Sequence, residues 1–364
     1  MRLVILTPHD LDTGAGGIER FTRSLIPPLE RRGWSTRVIW PQPGDARLPM
    51  PVEKAGAGAV VAALRTWRRH REEIADADAV LANGVMGWPV SHPRLVVVFH
   101  ANFGGYAEAI RPSVSFAEYV RNRYVHGGFM ALGGARGAAV EVSRQNASEM
   151  RRYYGLRRVA VIENGITPGS FAGGDGDAAR RRHGLPEGRI ALFPGRVEYR
   201  KGADLLRALP PLLPAGTTLV VAGPRALDAP GAVDLGPQGA GELRDLYAAA
   251  DVAVLPTRFE GSSFSVIEAQ DAGLPLVTCR QGHVAEMLER EPALRPTVVP
   301  SLEPGPFADR IRLLLEDRDL ARQVAEAGRR YVHEHHDAER MAAKYDDLLR
   351  GRGSWRPATG GRLG

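Results

Sequence analysis

Cysteine is almost missing from this chain: Cys279 is the single thiol in 364 residues, so no intrachain disulfide can form. That economy fits a reducing, cytoplasmic setting. Long apolar runs are absent too. No window approaches the length needed to cross a bilayer, and the opening Leu3-Val-Ile-Leu6 is too short for a secretory core. Lysine is scarce: among 48 basic residues only Lys54, Lys201 and Lys344 are lysines, so a lysine inside a motif is not background. No internal repeat, helix-turn-helix, zinc or RNA-binding signature appears. The formal charge of +6 therefore points to an anionic ligand or an acidic surface rather than to nucleic acid.

What is present is a hydrophobic fraction of 44%, normal for a globular protein, and a length that suits two α/β domains. Apolar strand-like runs alternate with helical patterns, as in doubly wound sheets. Strands are expected at 2–7, 36–40, 79–82, 95–100, 139–142 and 159–162, then at 190–194, 218–222, 252–256, 275–278 and 297–299. Pro168-Gly169 and Gly173-Gly-Asp-Gly176 interrupt the periodicity, which puts a domain boundary within 167–177. The expected division is 1–167 and 168–336, with a helix at 337–350 crossing back to the first domain and a flexible tail over 351–364.

Glu260 and Glu268 bracket the most informative segment. Val252-Ala-Val-Leu-Pro256 reads as a buried parallel strand, and Ser265–Ala272 as a helix halted by Gly273 and Pro275. Between them, Gly261-Ser262-Ser263 reads as a polar turn whose backbone amides are free at a helix N-terminus, an anion site flanked by carboxylates. Carboxylates accept hydrogen bonds from sugar hydroxyls, and amides donate to phosphate oxygens. One element can thus hold both halves of a sugar nucleotide.

A second segment, Ile190-Ala-Leu-Phe-Pro-Gly-Arg-Val-Glu-Tyr-Arg-Lys-Gly202, runs from a strand through a glycine turn to a helix opened by Lys201-Gly202. The reading places Arg196, Lys201 and a helix N-terminus at one point, as a diphosphate requires. A third, Gly14-Ala-Gly-Gly-Ile-Glu19, follows the first strand and lacks the glycine at 19 that a dinucleotide fingerprint needs; an amphipathic helix over 18–30 follows. A fourth is His100, at the carboxyl end of Arg94-Leu-Val-Val-Val-Phe99, where open α/β sheets bind ligands.

In combination and in this order, these motifs resemble the retaining GT-B glycosyltransferases, family 4 in particular (glycosyl transferases group 1), with Leu243–Thr278 similar to their glutamate-x7-glutamate region. The resemblance implies two Rossmann-like domains facing each other across a cleft. The N-terminal one takes the acceptor and the C-terminal one the nucleotide-sugar. It implies phosphate contacts for Arg196 and Lys201, with the amides of Gly261, Ser262 and Ser263 sharing the charge. Ribose hydroxyls fall to Glu268, donor-sugar hydroxyls to Glu260, and the sugar's 6-position to His100. Gly16 and Gly17 allow close backbone approach to donor and acceptor. Many relatives have Glu-Gly-Phe-Gly where this chain has Glu260-Gly-Ser-Ser263, which leaves the path of the phosphate loop open.

The activity so implied is retaining transfer of a sugar from a nucleoside diphosphate donor, UDP being the family's commonest base, to a hydroxylated small molecule, natural product or envelope glycan. It needs no cofactor and no metal. Two alternatives are a GT-B sugar-nucleotide epimerase and a non-catalytic sugar-nucleotide-binding scaffold; donor turnover separates the scaffold from the enzymes.

Weaker signals complete the reading. Arg65-Thr-Trp-Arg-Arg-His-Arg71 is the densest basic segment. A peripheral membrane patch and a solvated helix face both suit it, the second slightly better. His333, His335 and His336 read as a charged helix face rather than a metal site. Asn146-Ala-Ser148 matches a glycosylation sequon and reads as helix polarity. Ser143 and Arg144 suit a structural role as well as a cleft-facing one.

Overall fold

The computed structural model describes residues 1–12, 16–43, 45 and 56–352. Lys54 and nearly all of the expected tail lie outside them, as does Gly14. The chain divides into two compact units, Met1–Gly165 with Ala338–Gly364, and Ile166–Asp337.

The first unit is built on β1 (Arg2–Leu6), β2 (Ser35–Ile39), β3 (Ala79–Asn83), β4 (Leu95–Phe99), β5 (Ala138–Glu141) and β6 (Val159–Val161). All are parallel, in the order β2-β1-β3-β4-β5-β6. Strands β3 and β4 are buried along their whole length, because helices cover both faces of a parallel sheet. The helix Gly17–Arg31 buries Phe21, Leu25 and Leu29, one residue per turn. The helix Ala338–Leu349 packs against it through Met341, Ala342, Tyr345 and Leu349. Polar ties fix that contact: Trp34 Nε1 donates to Asp346 Oδ1 at 2.6 Å, and Arg31 and Arg32 both pair with Glu339.

The second unit carries β7 (Arg189–Pro194), β8 (Thr217–Ala222), β9 (Ala232–Asp234), β10 (Val252–Leu255), β11 (Leu276–Cys279) and β12 (Val298–Val299). Their order is β12-β11-β10-β7-β8-β9, again all parallel. The first strand of the unit is central, and the winding reverses between β7 and β10. The carboxyl ends of those two strands mark the point where such sheets bind ligands.

Every expected strand is present, shifted by a residue at some ends. β9 is an addition: three half-exposed residues carry too little pattern to read. The division between units falls at Gly165–Ile166, ahead of the glycine-rich stretch. The backbone N–H groups of Gly169 and Phe171 donate to Asp271 at 2.7 and 2.8 Å, which ties that stretch to the second unit.

The histidine run is not a solvated face. His333 Nε2 bonds Asp271 Oδ1 at 2.8 Å, and His336 is buried with its ring 5.1 Å from that of His283. The helix Arg318–His335 ends just before His336, so that side chain turns inward. No cluster of three or more metal-ligating side chains occurs among the described residues.

Candidate active site

In the second unit the expected residues gather at the reversal point. After β7 the chain passes Gly195-Arg196 into a 3₁₀ turn, Tyr199–Lys201, and then the helix Ala203–Ala208. Gly202 joins them with φ of 81°, and a Cβ there would lie 2.3 Å from the Pro256 carbonyl oxygen. Only glycine combines that left-handed backbone with so close an approach to the loop after β10. Lys201 thus ends a 3₁₀ turn rather than opening the helix.

Arg258 laces the two loops together. Its backbone N–H donates to Arg200 O at 2.8 Å, and its guanidinium grips both Asp204 oxygens at 2.7 Å while lying 4.0 Å over the Tyr199 ring.

Lys201 Nζ is paired with Glu260 Oε2. Arg200 Nη1 reaches the same oxygen at 3.4 Å and donates to Phe259 O at 3.2 Å, while its Nη2 binds Glu198 at 2.6 Å. The two cations meeting at one point are therefore Lys201 and Arg200. Arg196 stands half-buried just past β7. Burial alone pushes the Glu260 carboxyl up, but the charges of Lys201 and Arg200 outweigh it and hold it below the usual carboxylate range. Lys201 moves down as well, because burial and the like charge of Arg200 together exceed the support from Glu260.

The Gly261–Ser263 turn leads into the helix Phe264–Asp271, which Ser265 fastens to β7 by donating to Pro194 O at 2.7 Å. Its amides are not all open. The Ser263 N–H donates to His283 Nδ1 at 3.2 Å, and the His283 N–H donates to Gly261 O at 2.9 Å. The loop after β11 fits directly against the turn, since a Cβ on Gly282 would lie 2.0 Å from Gly261 O. Glu268 is buried, and its Oε2 accepts the Tyr247 hydroxyl at 3.0 Å.

The first unit holds the remaining residues. Gly16 caps the helix that begins at Gly17, and the Glu19 carboxylate folds back to within 2.5 Å of where a Gly16 Cβ would stand. His100 follows β4, and its Nε2 lies 2.8 Å from Asn83 Oδ1 at the end of the adjacent β3. Asn83 Nδ2 donates to Leu6 O at 3.1 Å, so the amide presents its oxygen and His100 must donate through Nε2. The ring packs edge-on against Phe21, with centroids 4.6 Å apart. Burial lowers its pKa to about 3, so the imidazole is neutral and Nδ1 is a buried acceptor without a protein partner. Such an atom suits a ligand hydroxyl.

Ser143 takes the structural role: its hydroxyl accepts the Asn146 N–H at 3.2 Å and caps the helix Arg144–Tyr154. Asn146 itself is fully buried. Of the residues now seen at these sites, Asn83, Gly282 and His283 lie outside every motif, and Arg200 and Tyr247 lie within the matched segments without a role of their own there. Asn83 alone had a readable cue, as a polar residue ending an apolar strand beside β4.

Residues 188–317 match the family model described as "Glycosyl transferases group 1", and residues 15–169 match that of "Glycosyltransferase Family 4". The curated relatives include D-inositol 3-phosphate glycosyltransferase 2 of Catenulispora acidiphila, 33% identical over 215 residues, 52% of this chain and 49% of that protein. D-inositol 3-phosphate glycosyltransferase of Salinispora arenicola is 31% identical over 206 residues, 48% of this chain and 46% of that protein. This chain thus spans about half the length of the curated relatives it matches. Among solved structures, sucrose-phosphate synthase of Thermosynechococcus elongatus superposes with a TM-score of 0.79 at 18% identity, covering 96% of this chain and 98% of that one. With motifs, sheet order and both family models in agreement, the chain belongs to the family-4-like glycosyltransferases of the glycosyl transferases group 1 and has their two-domain GT-B fold.

Proposed function

We propose that the chain transfers a sugar from a nucleoside diphosphate donor to a hydroxyl of an acceptor, with retention of anomeric configuration. The observation that carries this reading is the Lys201–Glu260 pair with Arg200 at the reversal point between β7 and β10. Cations and a carboxylate held mostly out of water are what a diphosphate and a polyhydroxylated ring require together.

In the proposed reaction the bond from the sugar's anomeric carbon to the diphosphate breaks as the bond to the acceptor oxygen forms. The acceptor's proton passes to the departing phosphate oxygen, so no protein nucleophile is needed. Lys201, Arg196 and the turn at Gly261 and Ser262 stabilise the charge that grows on the diphosphate. Glu260 takes sugar hydroxyls, and Glu268 takes those of the ribose. Gly16 and Gly17 let ligand approach the backbone, and His100 Nδ1 is assigned a hydroxyl of the donor sugar.

UDP is the proposed nucleotide, as the family's commonest. The names of the curated relatives make a phosphorylated cyclitol the first acceptor to try, ahead of natural-product aglycones and envelope glycans. Thermal shift against a panel of UDP-, GDP- and ADP-sugars tests the donor reading, because a ligand bound to the folded state alone raises the melting temperature. A rise with one nucleotide series supports it. No shift with any sugar nucleotide removes it.

A further inference from the structure

His283 stands one residue ahead of the helix Val284–Arg290, in the loop that follows β11, and is fully buried. Two bonds run from it to the turn at Gly261–Ser263. Its backbone N–H donates to Gly261 O at 2.9 Å, and its Nδ1 accepts the Ser263 N–H at 3.2 Å. A single residue thus grips both ends of the turn, by main chain at one end and by imidazole at the other.

The surroundings fix that grip. The His283 carbonyl accepts the Met287 N–H at 2.9 Å, which ties the residue to the start of its own helix. Gly282, with φ of 56°, lets the loop lie against the turn, since a Cβ there would also come within 2.6 Å of Glu260 O. β11 is fastened to β10 by the Thr278 hydroxyl, which donates to Leu255 O at 3.1 Å. The imidazole itself packs edge-on against the ring of buried His336, with an interplanar angle of 74°.

The amide so held needs this partner. Ser263 precedes the helix Phe264–Asp271, makes no side-chain cap and is buried, so its N–H is one of those a helix start leaves without an intrahelical acceptor. A nitrogen that accepts an N–H carries no proton, and the neutral imidazole therefore holds its proton on Nε2. Neutrality matters as much as position. A carboxylate could accept the same amide, but it would set a second negative charge close to Glu260 and against an incoming phosphate.

We propose, on the reading that this turn receives the donor's diphosphate, that His283 is a positioning residue for it. By taking the Ser263 amide it holds the turn in one shape. The diphosphate is then directed to the Gly261–Ser262 end, beside Lys201 and Glu260, instead of onto the axis of the helix.

Asparagine and leucine at 283 separate the bond from the bulk. In His283→Asn the amide oxygen stands near the place of Nδ1 and can accept the Ser263 N–H; in His283→Leu the side chain fills the space without an acceptor. Isothermal titration with UDP, GDP and ADP should show the asparagine variant within about threefold of wild type for the nucleotide that binds. The leucine variant should be weaker by roughly tenfold or more. Nitrogen NMR of the full chain labelled at its histidine side chains, with the His283 signals identified by their loss in His283→Asn, should find the proton on Nε2 with and without nucleotide. Wild-type affinity in the leucine variant overturns the positioning role and leaves the donor reading intact. A loss in the asparagine variant as large as in the leucine one overturns it too, as does a proton on Nδ1. If the wild-type chain binds none of the three nucleotides, the donor reading falls and this role falls with it.

Discussion

Lys201 and Glu260, 59 residues apart in sequence, neutralise each other across the two loops that leave the central strands of the second unit. The lysine expected at a phosphate and the glutamate expected at a sugar are thus one ion pair. Arg200 shares the same carboxylate oxygen at 3.4 Å and is itself held by Glu198. A diphosphate that draws Lys201 toward itself would leave Glu260 with Arg200 as its remaining counter-charge, still in place for the sugar.

Arg200→Gln should therefore separate the two halves of the donor. Affinity for the nucleoside diphosphate alone should change little, while affinity for the matching sugar nucleotide should fall roughly tenfold or more, as expected when a charge-assisted hydrogen bond is lost. Isothermal titration with both ligands reads the difference. Equal losses for the two would make Arg200 a general structural tie instead.

Lys201→Ala and Arg196→Ala should each slow sugar transfer by roughly two to three orders of magnitude, the usual effect of deleting a positioned charge stabiliser. The check is an initial-rate assay on folded variants. Near-normal turnover in both would exclude them from the phosphate site.

Sugar transfer should survive exhaustive chelation. Lys201, Arg200 and Arg196 already supply fixed positive charge near β7, which is the task a divalent ion performs elsewhere. Loss of activity in EDTA with recovery in magnesium or manganese would defeat this expectation.

An α-linked donor should give an α-linked product. Departure and attack on the same face follow if the leaving phosphate is the base, whereas inversion calls for a positioned general base on the opposite face. Anomeric proton coupling in the product spectrum distinguishes the two. A β-linked product would defeat the retaining mechanism while leaving every donor contact intact.

Glu141 provides a pH test that is independent of substrate. It ends β5 fully buried, and burial pushes its carboxyl well above the usual value of 4.5, against weaker opposing help from the Val142 amide and Asn146. The folded state then holds a proton that the unfolded state releases, so stability is full below the unfolded pKa and falls as pH rises toward the folded one. Glu141→Gln removes that loss. Its melting temperature should exceed the wild type's at neutral pH, with the gap closing below about pH 4.5. A gap independent of pH would show that Glu141 is not held protonated.

Much of the framework was legible because strands buried on both faces read as unbroken apolar runs: Leu95–Phe99 has no exposed position, and neither has Val252–Leu255. The half-exposed Ala232–Asp234 has no such run behind it. Glu260, Lys201 and His100 could be singled out because each follows a strand on the side where doubly wound sheets bind ligands, and Glu268 by its spacing from Glu260. Arg200, Tyr247 and His283 could not, since their importance comes from partners 20 or more residues away. The same gap explains Ser263: its amide was open by local geometry alone, and a histidine 20 residues on takes it.

The order β12-β11-β10-β7-β8-β9 has one more consequence. The loops carrying Arg196, Lys201 and Glu260 hang from the two innermost strands, each with a neighbour on both sides. Fraying that starts at β12 or β9 must strip intervening strands before it reaches either. Thermal opening at the sheet's margins and wear on the site are thereby decoupled: the margins can breathe or tolerate change while the charged cluster keeps its spacing.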